Sequence, residues 1–150
     1  MAYVRCLDGR VDEAAGIYES ILQRRPQDIS VLNNLATVLA EQPARRDDAL
    51  RYVDRAIAAA GPKAALLDTK GTILLLDGKA REAVGLLEEA SAVVSDPRYL
   101  FHLALAYQRT GDPDKARVVL DRAHDGNLTR KTLTETDRRL LAELEAELRR

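Results

Sequence analysis

The side chains best suited to chemistry are few: His102, His124, Cys6 and the adjacent carboxylates Glu88 and Glu89. Neither histidine stands at metal-ligand spacing from the other or from Cys6, so no zinc-type ligand set forms. Asp8-Gly9-Arg10-Val11-Asp12-Glu13 is acidic and contains a glycine. It lacks the alternating oxygen ligands and the distal glutamate of a calcium loop. Glu88-Glu89 is a pair of the kind that solvated helix faces carry routinely, and acid–base catalysis needs a second positioned group. No glycine-rich loop follows a strand to cradle a phosphate. With no set of acid, base and nucleophile, the reading is of a protein that is not an enzyme and uses no metal or cofactor.

Bulk properties agree with that reading. The 150 residues are 46% hydrophobic and 31% charged, which fits one ordinary domain and excludes a disordered chain. Aromatics make up 4%, and Ala, Leu, Arg, Glu and Asp dominate, a composition that favours helix throughout. A net charge of -1 argues against a phosphate-binding surface. Arg45, Arg46, Arg51 and Arg55 cluster, but Asp47, Asp48 and Asp54 interleave with them, as on a salt-bridged surface and not a nucleic-acid face. The apolar run from Ile73 to Leu76 is far too short to cross a bilayer. Met1-Ala2-Tyr3-Val4-Arg5 is not a signal peptide, and the single cysteine leaves the compartment open. The preferred location is cytoplasmic.

What must position any functional side chain is a repeat. Asp12-Glu13-Ala14-Ala15, Asp47-Asp48-Ala49-Leu50, Arg81-Glu82-Ala83-Val84 and Asp114-Lys115-Ala116-Arg117 open four similar segments. Their alanines, Ala14, Ala49, Ala83 and Ala116, are spaced by 35, 34 and 33 residues. A second helix precedes each segment, with a small residue at its middle: Ala2, Ala36, Gly71 and Ala104. Between the helices lie Asp8-Gly9-Arg10, Gln42-Pro43-Ala44-Arg45-Arg46, Asp77-Gly78-Lys79 and Thr110-Gly111-Asp112. Pro26, Gly61-Pro62, Asp96-Pro97 and Asp125-Gly126 end the units. Small residues at helix crossings let backbones approach, and Leu32, Leu35, Leu67, Leu74, Leu100, Leu103 and Tyr107 supply the apolar stripe. The expected fold is all-α, an α-α superhelix of antiparallel hairpins, with units near 1–28, 29–63, 64–96 and 97–126.

The period near 34, the small residues at the crossings and the breaker after each second helix resemble the tetratricopeptide repeat, over roughly residues 1–126. Gly71, Gly78, Ala83 and Ala90 within one unit carry the resemblance most specifically. The family's Trp is replaced by Leu32, Leu67 and Leu100. Sel1-like repeats run slightly longer, place their glycines differently and fit less well. Because Ala2 already holds the middle of its helix, the first unit reads as truncated. A fragment of a longer protein, or an open N-terminal end that pairs with a second copy, is the expectation.

The resemblance implies that the first helix of each unit lines a concave groove that takes a peptide or helix of a partner. The second unit would present Ser30, Asn33, Asn34, Thr37, Ala40 and Glu41. The third would present Ala65, Asp68, Thr69, Thr72, Leu75 and Leu76, and the fourth Arg98, Phe101, His102, Leu105, Gln108 and Arg109. Asn33, Asn34, Thr37, Asp68, Thr69 and Thr72 would form a polar floor. Leu75, Leu76, Phe101 and Leu105 would form an apolar patch, either open for binding or covered, with Phe101 the preferred anchor. Some family members clamp a chaperone's C-terminal carboxylate with Lys and Asn. The matching places here hold Asn33, Thr37, Thr69, Arg98 and His102, without the lysine, so that clamp is not expected.

Beyond the repeats, residues 127–133 form a longer connection. Thr134-Glu135-Thr136-Asp137 has the composition of a helix start. Leu140, Leu141, Leu144 and Leu148 follow at helical spacing, so 134–149 is expected to cap the fourth unit. A coiled-coil helix is the alternative, disfavoured by a stripe of only about two heptads. The function expected is a protein–protein interaction scaffold with no nucleic-acid partner and no membrane insertion. A structural or self-associating segment is the alternative.

Overall fold

A computed structural model describes residues 11–129 and 133–149 of the chain. The expectations that rest on Ala2, Tyr3, Cys6 and Asp8-Gly9-Arg10, including the truncated first helix and an open N-terminal end, lie outside these residues. Among the described residues there are eight α-helices: α1 (Val11–Arg24), α2 (Ile29–Ala40), α3 (Arg46–Ala60), α4 (Ala64–Leu76), α5 (Ala80–Val93), α6 (Pro97–Arg109), α7 (Pro113–Asp125) and α8 (Glu135–Leu148).

Local chemistry sets most of these ends. Asp28 accepts a hydrogen bond from the Val31 amide at 3.1 Å and starts α2. Asp96 and Asp112 do the same for α6 and α7, each followed by a proline whose fixed φ suits the first helical position. The turns after α4 and α6 place Gly78 and Gly111 at φ 76° and 87°, where a side chain would be strained. The longer link after α2 is a 3-10 turn at Pro43–Arg45.

Consecutive helices pack as antiparallel hairpins, α2 on α3, α4 on α5 and α6 on α7, and each hairpin stacks on the next. The first helices of the hairpins also touch one another, α2 with α4 and α4 with α6, forming an all-α superhelix with one inner row. The crossing alanines Ala14, Ala49, Ala83 and Ala116 are fully buried. At Gly71 the approach is closer still: a Cβ there would lie 2.6 Å from Leu87 Cγ. One apolar cluster runs from α1 to α4 and a second from α4 through α8, and Leu50 and Leu76 pack against both.

The closing helix begins with a capping box between Thr134 and Asp137. It does more than cover the end of the array. Leu140, Leu141 and Leu144, with Leu133, share a buried cluster with Leu75, Phe101 and Leu105 of the inner row. Gln108 on α6 donates to Glu147 at 3.1 Å, and Arg117 on α7 donates to the Leu148 carbonyl at 3.1 Å. At its other end Thr136 hydrogen-bonds Glu41, the residue that ends α2. Thus α8 lies along the inner face of the superhelix, meets the second hairpin at its first turn and the fourth at its last, and shares a buried cluster with Leu75 of the third.

Candidate functional site

The groove residues divide according to where α8 lies. Phe101 is 0% exposed, and Leu75 and Leu105 are buried as well. None of the three is open groove surface, and the apolar patch that made Phe101 the preferred anchor is instead the seat of α8. The reason is physical: an apolar strip on the inner row costs free energy in water, and the leucine stripe of α8 removes both from solvent together. Arg109 also leaves the groove set. Its Nη1 donates to the Leu75 carbonyl at 2.6 Å and satisfies the C-terminal end of α4. Gln108 is engaged by α8, and Ser30, like Arg109, lies outside the cavity.

What remains open is a cavity of about 410 Å³ beside the first turn of α8. It gathers Asn33, Asn34, Thr37, Ala40 and Glu41 from α2, Ala65, Asp68, Thr69, Thr72 and Leu76 from α4, and Arg98 and His102 from α6. Val11, Val38 and Ile73 add apolar wall. The polar floor read from the sequence therefore comes together on three successive inner helices. The fourth wall was not read: Thr134, Glu135, Thr136, Asp137 and Arg139 of the closing segment. Their composition marked a helix start, and that role concealed the second one.

Beneath the cavity sits a buried charge chain. His102 Nδ1 lies 2.7 Å from Asp68 Oδ1 and 3.2 Å from the Thr72 hydroxyl. On the ring's other side Nε2 is 3.4 Å from Asp137 Oδ1, an ion-pair separation without a hydrogen bond. Burial opposes a charge on this ring. The two carboxylates outweigh it and lift the His102 pKa to about 10, so the ring is an imidazolium at neutral pH. Burial likewise pushes Asp137 upward, but His102 and the Thr134 cap pull it below the usual carboxylate range. A signal for the first contact was present in the chain: Asp68 and His102 are 34 residues apart, one repeat, as are Leu75 and Arg109.

Glu41 is held differently. Burial raises its pKa, and the Thr136 hydroxyl works against that rise. Asn33 Oδ1, Arg98 Nε and His102 Nε2 are buried without a hydrogen-bond partner, so the fit of α8 over the inner row leaves polar groups unsatisfied. Among the described residues no group of three His, Cys, Asp or Glu side chains could hold a metal, and no helix is long and apolar enough to cross a membrane.

Comparison with known proteins bears on the architecture. Residues 97–122, α6 and most of α7, match the family model described as Tetratricopeptide repeat. No curated protein matches the chain by sequence. Among solved structures, TTC0263, a thermophilic TPR protein of Thermus thermophilus, is similar at TM-score 0.78 and 20% identity, over 97% of this chain and 78% of that one. MamA (41-end) of Desulfovibrio magneticus RS-1 is similar at TM-score 0.69 and 19% identity, over 99% and 89%. At such identities the likeness is one of fold. Residues 97–122 thus match a tetratricopeptide repeat, and the fold of the described residues is similar to that of TPR proteins of known structure.

Proposed function

We propose that the chain is a protein-interaction module whose inner face holds an extended segment of a partner protein. The observation that carries this reading is the cavity of about 410 Å³ walled by three inner helices and the first turn of α8. Its size is that of a small-ligand pocket, which accommodates a few residues of extended chain. A helix is about 10–12 Å across with its side chains and would have to displace α8 to enter. The exposed Asn34 amide offers both donors and an acceptor, and the Thr37 and Thr69 hydroxyls, whose hydrogens go to the Asn33 and Ala65 carbonyls, offer acceptors, together a set of the kind that holds a peptide backbone. Such a role requires no catalysis.

Display of random extended peptides against the intact chain tests the reading. Selected peptides are then titrated against Asn34→Ala and Thr69→Ala. Several-fold weakening in both variants is the expected result. Peptides that bind all three proteins equally would place the interaction elsewhere.

A further inference from the structure

Glu41 is the carboxylate at the edge of this cavity, and its position specifies a guest. It is the residue that ends α2, where unpaired carbonyls leave the negative end of the helix dipole. Two groups already temper that end: Arg46 donates to the Ala40 carbonyl, and Arg139 lies near enough to act on Glu41 through its charge. Yet the side-chain hydrogen bond to the Glu41 carboxylate comes from Thr136 of α8, a neutral hydroxyl. Across the whole cavity four carboxylates, Glu41, Asp68, Glu135 and Asp137, face the guanidiniums of Arg98 and Arg139 and the His102 imidazolium. Asp68 and Asp137 are both spent on His102. Glu135 stands in the first turn of α8, where the positive helix end already favours an acid, so among the described residues the acid left at a negative helix end without a cation in contact is Glu41.

We infer that the partner segment presents a lysine or arginine side chain to Glu41, taking the place of the Thr136 hydroxyl. This rests on the groove reading above and specifies it. A charged donor makes a stronger hydrogen bond to a carboxylate than a neutral hydroxyl does. Displacing Thr136 gives up one side-chain contact of α8 and leaves its leucine stripe seated on Phe101 and Leu105.

The test uses fluorescein-labelled octapeptide pools, identical except that one central position is fixed as Lys, Arg, Gln, norleucine or Glu. Polarisation is measured on the intact chain, on Glu41→Gln and on Thr136→Val, after circular dichroism shows that each variant retains its helicity. The wild-type chain should favour the Lys and Arg pools over the Gln pool by about fivefold. Glu41→Gln should bind the neutral pools as before and lose the preference, and Thr136→Val should bind the Lys pool more tightly. Binding of all pools without a preference for Lys or Arg, or a preference that survives in Glu41→Gln, overturns this inference and leaves the groove reading intact. Failure of every pool to bind overturns both.

Discussion

His102 Nδ1 and Asp68 Oδ1 lie 2.7 Å apart on neighbouring inner helices, with both side chains buried. Asp137 of the closing helix stands on the other side of the ring. One imidazolium thus joins two adjacent hairpins to α8, and it does so under the floor of the cavity. The joint ties the shape of the groove to the seating of the closing helix.

The joint makes stability depend on pH in a defined direction. Unfolded histidine titrates near 6.5, whereas His102 in the fold titrates at about 10. Its contribution is complete below about pH 6.5 and is lost as pH rises toward 10, by at most about tenfold in the folding equilibrium constant per pH unit. The depressed Asp137 contributes above its unfolded value near 3.9 and loses that contribution as pH falls. Urea unfolding between pH 6.5 and 9 should show the decline in the wild-type chain and a flatter dependence in His102→Gln. Parallel slopes would mean that the ring is neutral in the fold.

Asp137→Asn removes one carboxylate from the buried ring and weakens the cap on α8. Breaking a buried pair of this kind costs about 3 kcal/mol. Hydrogen exchange should accelerate first in α8, because the inner row keeps its own packing when the closing helix lifts. Equal acceleration in α2 and α4 would show that α8 is integral to the whole array and not a cover on it.

Gly71→Ala should destabilise the protein even though alanine is the better helix former by about 1 kcal/mol. The added methyl would lie 2.6 Å and 2.7 Å from two atoms of the fully buried Leu87. Overpacking of this sort costs roughly 1–3 kcal/mol. Combined with Leu87→Ala, the two losses should be less than additive in denaturant melts. Strict additivity would rule out the clash as the cause.

Phe101→Ala should cost about 3–5 kcal/mol, the loss expected for a large aromatic removed from a packed core. Asn34→Ala, at an exposed position on the cavity wall, should change stability by less than about 0.5 kcal/mol. Thermal melts of the two variants check the contrast. A Phe101→Ala melt close to wild type would restore Phe101 to the groove surface.

The sequence by itself determined the repeat. Spacings near 34, alanines at the crossings, glycines at the turns and prolines after capping aspartates act through neighbours a few residues away or one unit away, so they are visible along the chain. The polar floor at Asn33, Asn34, Thr37, Asp68, Thr69 and Thr72 was legible for the same reason, since repeat register assigns each residue to a face. Only the tertiary structure decided what lies against that face. The stripe of α8 carries no address: Leu140, Leu141 and Leu144 would cover any apolar surface of suitable width. Hydrophobic burial is non-directional and depends on area, so sequence pattern showed that Leu75, Phe101 and Leu105 were apolar but not that α8 would bury them. Asp137 shows the same limit, because its role as a cap is local and its pairing with His102 exists only once α8 folds back along the groove.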